Sequence, residues 1–113
     1  MRQYEIWWAK LPGPAGERPV LLLSRDDAYA ALNKFVVAEI TRTIRSIPTE
    51  VRLSKREGLS KDCAANFDNI RTVSRSWLVR RMGALHPGRY EEIKTAVGYS
   101  FEWPELIPSD PVS

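Results

Sequence analysis

Cysteine is almost missing: Cys63 stands alone among 113 residues. An intrachain disulfide and a cysteine-based metal cluster are therefore excluded, and the thiol is expected to act as a small core hydrophobe. Histidine is equally scarce. His86 is the single imidazole and precedes Pro87 where a helix is expected to start, so Ser-His-Asp catalysis has no evident base. The chain also lacks a Gly-rich phosphate loop, a zinc-ligand spacing and a Gly-x-Ser-x-Gly nucleophile turn. No apolar run approaches the roughly 18 residues that span a bilayer, and the Met-Arg-Gln-Tyr-Glu start has no signal-peptide core. The expectation is a cytoplasmic protein without membrane contact, metal or cofactor.

What is present is an ordinary globular balance, 43% hydrophobic and 27% charged, enough for one domain with a modest core. Net charge is only +3, but the basic residues are unevenly spread. Arg71, Arg75, Arg80, Arg81 and Arg89 fall in a stretch with no acid, and Arg42, Arg45, Arg52, Lys55, Arg56 and Lys61 crowd another. Acids gather at Asp26-Asp27 and Glu91-Glu92. Such asymmetry predicts one positive face suited to nucleic acid.

Most apolar residues fall in short runs of strand character. Residues 3–9 alternate, Tyr4, Ile6 and Trp8 against Gln3, Glu5 and Trp7, so the adjacent tryptophans face opposite sides and cannot share one core. Lys10 to Gly16 is a Pro- and Gly-containing loop that leads into a strand from Arg18 to Ser24. Asp26 and Asp27 are expected to cap a short helix through Leu32, and Phe35 to Ile40 returns as a β-branched run. Thr49 to Leu53 reads as a strand and Lys55 to Leu59 as a turn about Gly58. Cys63–Phe67 and Ile70–Val73 read as two short strands joined by a bend at Asp68-Asn69. Trp77 to Leu85 combines a helical turn with a last strand, and Pro87 opens a helix with the stripe Tyr90, Ile93, Val97 and Phe101. This order predicts a mainly β or α+β fold over residues 1–103, a small, strongly curved antiparallel sheet or partly open barrel. An extended Pro-rich tail is expected over 104–113.

The segment Glu17-Arg18-Pro19-Val20-Leu21-Leu22-Leu23-Ser24 drives an arginine into the mouth of a run too hydrophobic to face water on either side. A guanidinium at the rim of a rigid strand, with an acid beside it, is a preorganised clamp for a phosphodiester. A pairing of Arg18 with Glu17 alone would make it a solvated strand end instead. RNA suits the remaining parts of the chain, because its own 2′-hydroxyl is the nucleophile and the protein need only orient it and stabilise charge at phosphorus.

Arg18 through Ser24, followed by Val37-Ala38-Glu39-Ile40-Thr41, Pro48-Thr49-Glu50-Val51 and Asn69-Ile70-Arg71-Thr72-Val73, resembles in order and spacing the MazF/PemK family of toxin endoribonucleases, over about residues 3–101. Tyr4-Glu5 departs from the pattern, standing where many members carry Gly-Asp or Gly-Glu. The resemblance implies a compact SH3-like barrel shared with the CcdB gyrase poisons, a homodimer, and a small acidic antitoxin as partner. It also implies ribosome-independent, metal-independent, sequence-selective cleavage of single-stranded RNA to a 2′,3′-cyclic phosphate and a 5′-hydroxyl. By its motifs Arg18 and Thr41 would be catalytic. Asn69 would read a base edge, with Glu17, Ser46, Asp68 and Arg71 as further RNA-binding candidates. Two alternatives compete: a CcdB-like toxin that poisons gyrase without cleaving anything, and a silent scaffold on the same fold. Trp103 is followed by ten residues rather than ending the chain, which speaks against the first.

Overall fold

The computed structural model describes residues 1–109. Its central strand explains the unbroken hydrophobic run. β2 (Glu17–Leu22) lies between β1 (Glu5–Lys10) and β3 (Lys34–Thr41), antiparallel to both. Leu21 enters one core with Ile6, Ala38, Ile40 and Phe67, whereas Val20 and Leu22 enter a second with Ala9, Phe35, Val37 and Val73. All three side chains are fully buried. At about 1.5–3 kcal/mol for each buried aliphatic side chain, β2 stabilises both cores, as β1, β3 and β5 also do.

β4 (Glu50–Leu53), β5 (Cys63–Ser74) and β6 (Leu78–Ala84) complete a six-stranded antiparallel sheet in the order β4-β5-β3-β2-β1-β6. The sheet curls until β6, at one edge, meets the 3-10 turn Lys55–Glu57 that follows β4 at the other. Backbones touch at that seam. A Cβ on Gly83 would lie 2.0 Å from the Glu57 carbonyl oxygen, so only glycine permits the approach. The mainly β, partly closed barrel expected from the sequence is the observed fold.

α2 (Tyr90–Ser100) caps the first core with Ile93 and Ala96. His86 starts it as expected, its Nδ1 accepting the Gly88 N–H at 2.9 Å above the turn Pro87–Arg89. Phe101 does not follow the apolar stripe. The helix stops at Ser100, Glu102 turns the chain with φ 51°, and Phe101 is left 59% exposed. The segment read as an extended tail opens with a 3-10 turn, Pro104–Leu106, and residues 110–113 lie outside the described part.

Two other expectations change. Cys63–Phe67 and Ile70–Val73 belong to one strand, β5, which loops out Phe67-Asp68-Asn69 between the residues facing Glu39 and Ala38. A local bulge looks like a break in sequence because both interrupt the alternation. Asp27 precedes α1 (Ala28–Ala31) without a side-chain capping bond, and Asp26 instead accepts the backbone N–H of Gln3 at 2.7 Å. Trp7 and Trp8 separate as predicted: Trp7 packs on the second core, while Trp8 stays half-buried beside Glu17. Tyr4, in the segment where the resembling family carries glycine, adopts φ 70° and packs its ring 4.2 Å from that of Tyr90. The left-handed backbone strain there is offset by aromatic contact.

Candidate active site

Proline sets the geometry of the site. Pro19 has no N–H to give to β3, and the paired register between β2 and β3 ends at Val20 opposite Glu39. Two further steps along that register bring Arg18 opposite Thr41, the last residue of β3, where the strands part. Residues opposite one another on antiparallel strands share a face. A cavity of about 320 Å³ opens at this point, its lining including Arg18, Thr41, Glu17, Trp8, Arg42 and Met82.

Arg18 is held rather than loose. Its Nε–H donates to the Ala15 carbonyl at 3.0 Å and its Nη1 to Glu39 Oε1 at 3.0 Å. The second oxygen of Glu39 accepts from Arg71 Nη1 at 3.3 Å, and the Arg71 guanidinium lies 6.0 Å from the centre of the Trp77 ring. Both N–H groups on Arg18 Nη2 find no partner among the described residues, and the side chain is 33% exposed. A guanidinium anchored on two N–H groups with others unspent is a donor waiting for an anion.

Thr41 Oγ1 accepts the backbone N–H of Thr43 at 3.1 Å, which leaves its own proton to donate elsewhere. Glu17 does not pair with Arg18. Its Oε1 accepts from Trp8 Nε1 at 3.0 Å, and the Arg80 guanidinium lies 5.8 Å from the Trp8 ring centre. Glu17 is the one carboxylate in the lining. Cys63 borders the cavity, but burial pushes its thiol pKa up, with Asp62 adding to the rise and Arg42 opposing it. A thiol so protonated is a poor nucleophile, consistent with its place in the first core.

The structure thus gathers Glu17, Arg18 and Thr41 around one cavity and ties Arg71 to Arg18 through Glu39. Asp68, Asn69 and Ser46 lie outside that lining. Asp68 accepts from Thr49 Oγ1 at 2.7 Å and from Ser100 Oγ at 3.2 Å, fastening the β5 bulge to its neighbours. Asn69 is exposed on the same bulge, and Ser46 turns the β3–β4 loop with φ 54°. Glu39 was missed. It sits two residues before Thr41, and on a strand that spacing alone places both on one face.

Several arginines of the basic stretches are engaged within the fold. Arg75 donates to the carbonyls of Tyr29 and Leu32, Arg81 pairs with Glu5 at 3.0 Å, and Arg89 pairs with Glu92 at 2.7 Å. These three work as separate staples, one on backbone carbonyls, one on an acid 76 positions away and one on an acid in the next helical turn. Among the described residues no cluster of three or more His, Cys, Asp or Glu side chains is placed to hold a metal ion. Among them no helix is long and apolar enough to cross a membrane.

Comparison with known proteins gives a consistent result. A family model described as PemK-like, MazF-like toxin of type II toxin-antitoxin system matches residues 2–101. A probable endoribonuclease MazF2 of Mycobacterium tuberculosis is 42% identical over 93 residues, 81% of this chain and 89% of that protein. A probable endoribonuclease MazF5 of the same species is 38% identical over 94 residues, 82% of this chain and 85% of that protein. Among solved structures, the M. tuberculosis toxin MazF-mt6 superposes with a TM-score of 0.82 at 32% identity, over 87% of this chain and 96% of that one. A mycobacterial endoribonuclease in complex with its cognate antitoxin superposes with a TM-score of 0.79 at 25% identity, over 92% of this chain and 97% of that one.

Proposed function

Because the chain belongs to the PemK-like, MazF-like toxins of type II toxin–antitoxin systems, we propose that it is a ribosome-independent, sequence-selective endoribonuclease that cuts single-stranded RNA at the cavity between β2 and β3. The observation that carries this reading is Arg18, with unspent N–H groups, lining one cavity together with Thr41.

In the reaction the substrate's 2′-oxygen attacks phosphorus and the bond from phosphorus to the 5′-oxygen breaks. A 2′,3′-cyclic phosphate and a 5′-hydroxyl result. Charge grows on the non-bridging oxygens in between, and donors fixed beforehand stabilise it most. Arg18 Nη2 and the Thr41 hydroxyl supply those donors. A guanidinium binds its proton too tightly to act as a base. Glu17, the one carboxylate among the described residues of the lining, is proposed to take the 2′-proton, and the 5′-oxygen leaves with a proton from solvent or from the same carboxyl group. Asn69, Asp68 and Ser46, on the exposed bulge and loop, are proposed to read bases flanking the cut, since single-stranded RNA is recognised on splayed bases.

The same reading includes a homodimer in the cytoplasm, needing no cofactor, and a small acidic antitoxin that covers the cavity. A relative bound to its cognate antitoxin supports the last point. The test is incubation of the purified protein with a mixed-sequence transcript in EDTA. Discrete fragments with 5′-hydroxyl and cyclic-phosphate ends are expected, and a strict requirement for magnesium would overturn the mechanism.

A further inference from the structure

Glu39 is a carboxylate in a strand that beyond Lys34 at its start is otherwise apolar or β-branched, and only 13% of its side chain is exposed. Such a charge is costly to bury unless it is fully used. It is used twice. Oε1 takes Arg18 and Oε2 takes Arg71, so the carboxylate cannot rotate without giving up a partner. The room for it comes from β5, which loops out three residues between the partners of Ala38 and Glu39.

We propose that Glu39 is a positioning residue: it fixes the guanidinium of Arg18 in one orientation, with Arg71 as the clamp on its far side. The inference rests on the reading of Arg18 as the group that faces the scissile phosphate. An arginine at a strand end has many side-chain rotamers open to it, and Glu39 together with the Ala15 carbonyl removes that freedom before RNA arrives. The orientation retained leaves Nη2 unspent.

The charge balance gives the inference a distinctive sign. Two guanidinium groups against one carboxylate leave a single net positive charge beside the cavity. Replacing Glu39 by Gln removes the negative member, so the site becomes more attractive to phosphate while Arg18 becomes less ordered. Binding and rate should therefore move in opposite directions. A purely structural role would move them together and lower the melting temperature.

The experiment compares wild type, Glu39→Gln, Arg71→Gln and the double variant under single-turnover conditions with a mixed-sequence transcript. Affinity is measured with the same transcript made from 2′-fluoro nucleotides, which lack the nucleophile. In Glu39→Gln the saturating rate should fall at least about tenfold, with affinity unchanged or tighter and the melting temperature within a few degrees of wild type. Arg71→Gln should lose rate alone but add nothing in the Glu39→Gln background. An unchanged rate in Glu39→Gln, or parallel losses of rate, affinity and melting temperature, would overturn the proposal. So would equal losses from Arg71→Gln in both backgrounds.

A readout that needs no cleavage separates this inference from the proposed activity. In protein labelled with ¹⁵N-arginine, the Arg18 Nε–H cross-peak, assigned through Arg18→Lys, should be sharp in wild type and exchange-broadened in Glu39→Gln. An identical peak in both would overturn the positioning role even if RNA is cut. Conversely, wild type that leaves RNA intact would sink the proposed function, and the cross-peak alone would then decide whether Glu39 holds Arg18.

Discussion

Arg18 and Arg89 are both half-buried arginines engaged with acids, yet they are spent differently. Arg89 donates through Nε and Nη2 to the two oxygens of Glu92 at 2.7 and 2.8 Å, gives Nη2 also to the Arg52 carbonyl at 2.7 Å, and lies 3.5 Å from the buried Glu57. Arg18 commits only Nε and one Nη1 contact, and it lines a cavity that Thr41 also lines. Arginine density in a sequence therefore does not locate an anion site. Unspent donors beside a cavity do.

The comparison can be broken at its stronger end first. Arg18→Ala is expected to lower RNA cleavage about a thousandfold, the scale of losing a fixed donor to a developing anion, while circular dichroism and melting temperature stay close to wild type. Arg89→Ala should leave the cleavage rate of the folded protein unchanged. Thr41→Val keeps the shape of the side chain and deletes the hydroxyl. It should slow the saturating rate about ten- to a hundredfold with little change in RNA affinity, and an unchanged rate would reduce Thr41 to a strand end.

Stability should invert this order. Arg89→Ala leaves the Glu57 carboxylate, 5% exposed, with only its Ser54 contacts and should cost about 1–2 kcal/mol in urea unfolding, the exposed Glu92 adding little. A loss no larger than that of Arg18→Ala would contradict the division of labour.

A smaller effect lies in the acid limb of the stability profile. The hydrogen bond from Arg89 holds the Glu92 carboxyl below its ordinary value of 4.5, burial acting against it and the charge of Arg89 adding to it. At Glu5 burial alone would raise the pKa, but bonds from Trp7, Arg81 and the Arg2 backbone, with the charge of Arg81, outweigh it. A depressed folded pKa means that the unfolded chain binds more protons in this range. The stabilisation is present above pH 4.5 and is lost as pH falls through the lower folded values. Arg89→Ala should flatten that acid-side slope by the share of Glu92, which urea melts between pH 3 and 6 would show.

Local chemistry made part of this legible in the sequence. The run Val20-Leu21-Leu22 demanded cover on both faces and has it. Pro19 lies where β2 stops pairing with β3, and His86-Pro87 marked a helix start. What sequence could not show depends on distant partners. Glu39 meets Arg18 and Arg71 across 21 and 32 positions, and Arg81 finds Glu5 across 76, so which arginines are engaged within the fold is not legible locally. Asp68 is a candidate through the resemblance alone, and its bonds from Thr49 and Ser100, 19 and 32 positions away, are likewise invisible in local sequence. Arg18 and Thr41 were found individually by motif. Their meeting across one cavity follows from the β2–β3 register, which the intervening helix leaves unspecified in sequence.

In the proposed reaction the cavity lined by Arg18 and Thr41 cuts RNA by presenting the substrate's own 2′-hydroxyl to phosphorus. The direct measurement takes an oligonucleotide spanning a mapped cleavage bond, with one deoxyribose placed 5′ to that bond, and incubates it with wild-type protein in EDTA. It should bind as well as the all-ribose oligonucleotide and remain uncut at that linkage; cleavage there at the ordinary rate would contradict the account.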